Sequence, residues 1–370
     1  MSYISAIGTA NPPHRFNQST IARFMEKTMH LNSYDSRKLR TIFKASGIDY
    51  RYTVLEDYGK EESFSFYPNT ADSEPFPSTG KRQLAFQEHA LTLSLSAVKN
   101  LQASVPHYNL QTITHLIVVC CTGMYAPGLD IELVQKLNLS SSIQRTSITF
   151  MGCYAAFNAL KVADAFCKAD SKSKVLIVCT ELCSLHFQKQ PTDDNFLANA
   201  LFADGSAAIL VEGEASKSTK RLKLEAFHSD LAPEGQHDMA WSIGDLGFEM
   251  KLSTYVPDII KKGIRTLTNV LLQKISDNGV GIRYFAIHPG GKKILEAIQQ
   301  ELGITEEQNY PAYNVLRNYG NMSSPTVIFV LNEIFKTITA DDDGSRILSF
   351  AFGPGLTLES MLLKIENSNA

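Results

Sequence analysis

The sequence predicts an α/β fold made of two related halves, and three observations carry that reading. Short β-branched runs alternate with longer apolar-periodic segments, which implies sheets covered by helices. A strand–turn–helix–strand pattern occurs twice along the chain. The 370 residues exceed one ordinary core, so they suggest two to three domain-sized units or one large fold of two halves.

Five runs read as buried strands because each is short and rich in Val, Ile, Leu or Phe: HLIVVCC (115–121), KVLIVCTE (174–181), SAAILVEG (206–213), RYFAIHP (283–289) and RILSFAFG (346–353). LDIELVQKLNL, AAFNALKVADAFCKA, IIKKGIRTLTNVLLQKI, KKILEAIQQELG and SPTVIFVLNEIFKTI carry helical patterns between them. FSFYPNTADSEPFPSTGKR (64–82), rich in Pro, Ser and Asp, reads as a long loop. GEASKSTKR (213–221) is the predicted connector and divides the chain into halves 1–220 and 221–370.

The duplication rests on a matched order. A turn ending in Gly152-Cys153 opens a helix that leads to KVLIVCTE, and a turn ending in Gly320-Asn321 opens a helix that leads to RILSFAFG. Each strand then passes through a glycine-containing turn, FADGSAA or FGPGLTLES, into another apolar strand. Chance likeness of two βα units is the competing explanation.

Composition excludes several function classes. Hydrophobic residues make up 44% and charged residues 20%, the balance of a globular chain. A net charge of −3 and a pI near 6.3 give no field that favours nucleic acid or an anionic membrane, so an anionic ligand needs a local basic patch. No apolar run approaches bilayer length, and MSYISAIGTANPPHRF lacks the basic and apolar regions of a secretory signal. Six cysteines without framework spacing fit a reducing compartment. The expectation is a cytoplasmic protein without structural zinc.

Three residues at strand–helix junctions could do chemistry. Cys153 follows Gly152 and opens a helix, where unpaired amides and the positive end of the helix dipole favour a thiolate. Ala155 and Ala156 would let that helix start approach the partner helix beginning at Asn321. A buried, inert thiol is the commoner fate of a cysteine. His288 ends a strand in IHPGG, where two glycines leave the backbone open to a substrate, although a lone histidine is often only a satisfied loop residue. Asn321 is either an N-cap or a hydrogen-bond donor aimed at an oxyanion.

Cys, His and Asn in that order also occur in papain-like hydrolases, but MGCYAAF lacks the papain signature around the nucleophile. A condensing enzyme uses the same set differently. Cysteine holds an acyl thioester, and two neutral donors stabilise an enolate formed by loss of carbon dioxide.

IGTANP (7–12), MGCYAA, ALFADGSAA (200–208), IHPGG (287–291), YGNMSS (319–324) and AFGPGLTLE (351–359) together resemble the type III polyketide synthases, the chalcone-synthase family of the thiolase fold. The resemblance runs nearly end to end. It implies a five-layered αβαβα arrangement and a homodimer. The substrates would be coenzyme A thioesters, an acyl starter and a malonyl extender, with no bound cofactor. An acyl carrier protein is an alternative starter donor.

Residue by residue, it implies that Cys153 carries the acyl group while His288 and Asn321 bind the thioester carbonyl, promote decarboxylation and stabilise the enolate. Phe202 and Phe248 match two gatekeeping phenylalanines, with core packing as the alternative. Gly353, Pro354 and Ser323 match cavity positions, as do Cys121, Cys183 and His186, which are often threonine in plant enzymes. Met239 stands where glycine is usual, a change that shortens a cavity. Ala126 stands where methionine often reaches across the dimer, a change that opens room. Arg37, Arg40 and Lys44 on one helix face, with Gly291, Lys292 and Lys293 after the HPG turn, match the coenzyme A mouth, and a solvated face is the alternative. The loop at 64–82 differs from the plant pattern and looks more bacterial.

The resulting expectation is starter loading on Cys153, extension by decarboxylative condensation with malonyl-coenzyme A, and cyclisation to a pyrone or phenol. A single-step ketoacyl synthase and a thiol acyltransferase or hydrolase are the competing activities, and an inert scaffold the non-enzymatic one.

Overall fold

The computed structural model describes residues 1–214, 220–253, 255–275 and 281–367. The middle of the predicted connector, 215–219, lies outside the described residues.

Among the described residues the strands are β1 (Tyr3–Ala10), β2 (His14–Asn17), β3 (Tyr50–Thr53), β4 (His115–Cys120), β5 (Gln144–Thr149), β6 (Lys174–Leu182) and β7 (Asp204–Glu212). The second half adds β8 (Lys220–Leu231), β9 (Met239–Gly244), β10 (Gly247–Leu252), β11 (Ile282–Ile287), β12 (Arg346–Gly353) and β13 (Thr357–Asn367). The helices are α1 (Gln18–Thr28), α2 (Ser33–Ala45), α3 (Thr79–Ser104), α4 (Leu129–Lys136) and α5 (Ala155–Ala169). They continue with α6 (Asp193–Leu201), α7 (Val256–Leu272), α8 (Lys292–Leu302), α9 (Tyr310–Tyr319) and α10 (Thr326–Thr337).

Nine strands form one sheet in the order β11-β12-β13-β8-β1-β7-β6-β4-β5. Outward from the β1–β8 seam, β1-β7-β6-β4 and β8-β13-β12-β11 repeat the same directions: antiparallel, antiparallel, then parallel. The duplicated pattern is thus a property of the fold. It has one asymmetry, since β5 extends only the first half, parallel to β4.

Layering follows from which faces are apolar. Helix α10 (TVIFVLNEIFKT) buries residues Thr326 to Asn332 without a break, and α5 buries Phe157, Leu160 and Ala163. A helix apolar on nearly all sides must lie between two layers. Accordingly α5 packs on β4 to β7 and reaches β13, while α10 packs on β11 and reaches β1 and β7. Helix α3 covers the outer face of β1, β6 and β7, and α7, backed by α8, covers β8 and β13. The order helix, half-sheet, paired helices, half-sheet, helix makes the five layers.

The predicted loop at 64–82 ends earlier than expected, because α3 starts at Thr79 with Ser78 as its cap. The rest of the loop is tied down by the fully buried Asp57 carboxylate. It accepts the backbone N–H groups of Ser65, Phe66 and Tyr67 at 2.8 to 2.9 Å. No helix of the described residues is long and apolar enough to cross a membrane.

Candidate active site

Cys153 sits on a tight reversal. Strand β5 ends, Phe150 and Gly152 take left-handed φ values of 61° and 78°, and one 3-10 turn (Gly152–Tyr154) feeds α5. Gly152 is needed for space as well as for φ: a Cβ there would lie 2.4 Å from Pro354 Cδ. A Cβ on Gly353 would meet Tyr154 Cδ1 at 2.5 Å. The glycine-proline loop of the second half thus closes on the turn that starts α5. Ala155 and Ala156 are fully buried in the core.

Cys153, His288 and Asn321 line one cavity. Cys153 Sγ lies 3.9 Å from Asn321 Oδ1, although the two are 168 residues apart in sequence. The helix-start argument for a ready thiolate does not hold for the isolated thiol. Burial pushes Cys153 up to about 12, hydrogen bonding with Ser323 and Asn321 opposes that, and the nearby Glu181 carboxylate adds to the rise. A thiol at a mouth that is 7% exposed is not a thiol in water.

His288 is fixed through its backbone, with its N–H donating to Phe350 O at 2.8 Å, and its imidazole is 1% exposed. Neither ring nitrogen has a hydrogen-bond partner among the described residues. Burial pushes the ring down to about 3, so it is neutral at physiological pH. Buried polar atoms are nearly always paired, so an orphan imidazole facing a cavity is a group kept for a ligand. A proton passed from Cys153 to His288 would leave two opposite charges in one cavity, each offsetting the burial of the other. In His288→Gln, alkylation of Cys153 by iodoacetamide is expected to climb about tenfold per pH unit through the ordinary thiol value of 9.0, without a plateau. A plateau below that pH would place the supporting charge elsewhere.

Asn321 is not in the first turn of α10. It lies in the short segment between α9 and α10, where its backbone bridges Leu201 O and Ala203 N at 2.9 and 2.8 Å. Its side chain is oriented by its own segment and by the turn after β11: Oδ1 accepts Ser323 N–H at 2.8 Å and Nδ2 donates to Gly290 O at 3.3 Å. One amide proton is left for a ligand.

Cys121, Cys183, Phe202, Met239, Ser323 and Pro354 line the same cavity, as the sequence suggested. Gly353 acts by letting the nucleophile's turn close, and it is Pro354 that forms the wall. His186 and Phe248 stand elsewhere. They line an adjoining cavity that shares Cys183, Phe202, Trp241 and Met250 with the first, because both His186 nitrogens are engaged by the backbone, by Thr122 O at 2.7 Å and Phe248 N at 2.9 Å. Ala126 is exposed and forms a cis peptide bond with Pro127, away from this chain's cavity.

The basic residues are split. Arg37, Arg40 and Lys44 are exposed on α2, but Arg40 is held bidentate by Glu26 at 2.7 and 2.9 Å. The end of α2 adjoins the start of α8: a Cβ on Gly47 would lie 3.2 Å from Lys292 Cδ. Gly291 caps α8, and Lys293 is exposed on its first turn.

Two residues escaped the sequence reading. Glu181, at the end of KVLIVCTE, is fully buried and accepts Cys121 N, Thr122 Oγ1 and Ser324 Oγ at 2.9, 2.7 and 2.6 Å. It thereby joins both halves next to Cys121 and Thr122, which line the cavity. A carboxylate closing an apolar run was the available signal. Trp241, the sole tryptophan, lines both cavities and donates Nε1–H to Cys121 O at 3.0 Å. Among the described residues no cluster of three or more His, Cys, Asp or Glu side chains could hold a metal ion.

The sequence matches the family described as chalcone and stilbene synthases, with the N-terminal domain over residues 1–215 and the C-terminal domain over 223–366. An alpha-pyrone synthesis polyketide synthase-like protein of Mycobacterium tuberculosis is 31% identical, across 99% of this chain and 91% of that protein. A probable polyketide synthase 1 of Dictyostelium discoideum is 29% identical across 98% of this chain, which spans only 11% of that protein's length. The crystal structure of the C-terminal type III polyketide synthase domain of Steely1, from Dictyostelium, superposes with a TM-score of 0.89 at 29% identity, covering 98% of this chain and 99% of that one. A nucleophile turn, an orphan histidine and an anchored asparagine meeting in one duplicated fold agree with these likenesses, and the chain belongs to the chalcone and stilbene synthase family, the type III polyketide synthases.

Proposed function

We propose that the chain loads an acyl group from a coenzyme A thioester onto Cys153 and extends it with malonyl-coenzyme A. The observation that carries this reading is a buried thiol 3.9 Å from Asn321 Oδ1, in one cavity with an imidazole that has no partner among the described residues.

In the loading step His288 takes the proton of Cys153, Sγ attacks the thioester carbonyl, and the coenzyme A thiolate leaves with that proton. His288 is then neutral again, as its burial favours. Malonyl-coenzyme A loses carbon dioxide, and the electron pair of the broken bond forms an enolate. Its oxygen accepts hydrogen bonds from the His288 ring N–H and the free Asn321 amide proton. The enolate carbon attacks the Cys153 thioester, a carbon–carbon bond forms, and the thiolate departs.

Around this core the reading places residues 1–220 and 221–370 as two thiolase halves. Phe202 is the gate, and Met239, Cys121, Cys183, Ser323 and Pro354 form the walls. Lys44, Lys292 and Lys293 are placed beside the coenzyme A phosphates with Arg37 and Arg40, the latter once released from Glu26. The protein acts as a cytoplasmic homodimer. The exposed alternate residues of β5, at the free edge of the sheet, support pairing with a second copy. The iterated product cyclises to a pyrone or phenol.

The test is incubation with a panel of acyl starters and malonyl-coenzyme A, read by carbon dioxide release and product mass. Ketides carrying two or more extensions are expected. Single condensations only would make it a one-step synthase, and thioester cleavage without a new carbon–carbon bond a hydrolase. If Cys153 is alkylatable yet no starter is extended, the reading fails.

A further inference from the structure

The β9–β10 hairpin brings Met239, Trp241, Met250 and Leu252 to the active-site cavity. A two-stranded ribbon has little stability of its own, so the position of those side chains depends on what grips it. Its tip is held by Thr79, whose hydroxyl accepts Gly247 N–H at 2.8 Å, and by Gln188, which donates to Phe248 O at 3.1 Å. His186 grips Phe248 as well, through its backbone N–H.

The His186 ring is 5% exposed and spans two elements. Nδ1 accepts the Phe248 backbone N–H at 2.9 Å and Nε2 donates to Thr122 O at 2.7 Å. A neutral ring with its proton on Nε2 alone satisfies both, and burial favours the neutral form by pushing the group down to about 3. The Phe248 ring stacks on the imidazole at 4.2 Å and 9°. Trp241 meets both rings edge-on, at 5.9 and 5.8 Å. Its indole N–H donates to Cys121 O, the carbonyl next to the one that His186 uses.

We propose that His186 is a positioning residue: by holding Phe248 it fixes the Trp241 indole in the wall between the active-site cavity and the cavity behind it, and so sets the size of acyl group admitted. The substrate part of this inference rests on the condensing-enzyme reading; the geometric part does not.

Trp241 is the only tryptophan, so its fluorescence reports this wall directly. Two amide variants separate the two hydrogen bonds. His186→Asn places an oxygen near the Nδ1 position and keeps the acceptor for Phe248. His186→Gln places its NH₂ near Nε2, keeping the donor to Thr122 and losing that acceptor. The expected result is wild-type emission and starter preference in His186→Asn. In His186→Gln the emission should shift, and the kcat/KM ratio of long to short acyl-coenzyme A starters should change about tenfold.

Identical emission from the two variants overturns the proposal. So does a uniform fall in kcat for every starter with unshifted emission, which would mark a merely structural histidine. If the wild-type protein extends no starter, the condensing reading fails, while the emission contrast still decides whether His186 sets the wall.

Discussion

Cys153→Gln is expected to lose chain extension by about four orders of magnitude or more while still releasing carbon dioxide from malonyl-coenzyme A. The glutamine amide occupies the place of an acylated thiol, so the cavity keeps its loaded shape but has no nucleophile to accept a starter. In the proposed mechanism decarboxylation needs only the two neutral donors, and neither is altered. Parallel measurement of carbon dioxide and ketide mass separates the steps. Loss of both would show that Cys153 itself takes part in decarboxylation and would overturn the assigned division of labour.

Asn321→Asp should slow decarboxylation about 10²- to 10³-fold, the range for losing one oxyanion donor. The substitution is informative because the anchor survives it: the aspartate oxygen still accepts Ser323 N–H, as Oδ1 does at 2.8 Å. What changes is the other arm, where a donor becomes an acceptor that carries or shares a negative charge beside a developing enolate. Retained decarboxylation with a folded variant would leave His288 as the sole donor.

Much of the architecture was legible because burial leaves a mark on composition. Four of the five predicted strands are apolar runs that the structure buries almost throughout, and the fifth, β11, is buried only from Phe285 on. The helical pattern at α10 is apolar on nearly every side because the helix lies between layers. Strand β8 (KRLKLEAFHSDL) escaped because its charges alternate with the buried Leu222, Leu224 and Ala226, which makes a half-exposed strand look like a surface segment.

The site divides in the same way. Cys153, His288 and Asn321 lie at junctions that glycines announce. Trp241 and His186 take their places from backbone partners 120 and 62 residues away, which local sequence does not reveal. The expected acidity of Cys153 failed for a related reason. A helix start signals favourable dipoles, but the depth of burial that outweighs them is a product of the whole fold.

The mirrored sheet bears on how this molecule comes into being. Strand β1 lies far along the chain from both its partners, β7, with Tyr3 opposite Glu212, and β8, with Tyr3 opposite Lys223. The seam on which both halves hang therefore forms only once β7 and β8 are both present, and such distant pairing is slow. Cys153 and Asn321 meet only after the later half has also closed, so the cavity they line is completed only when both halves have folded.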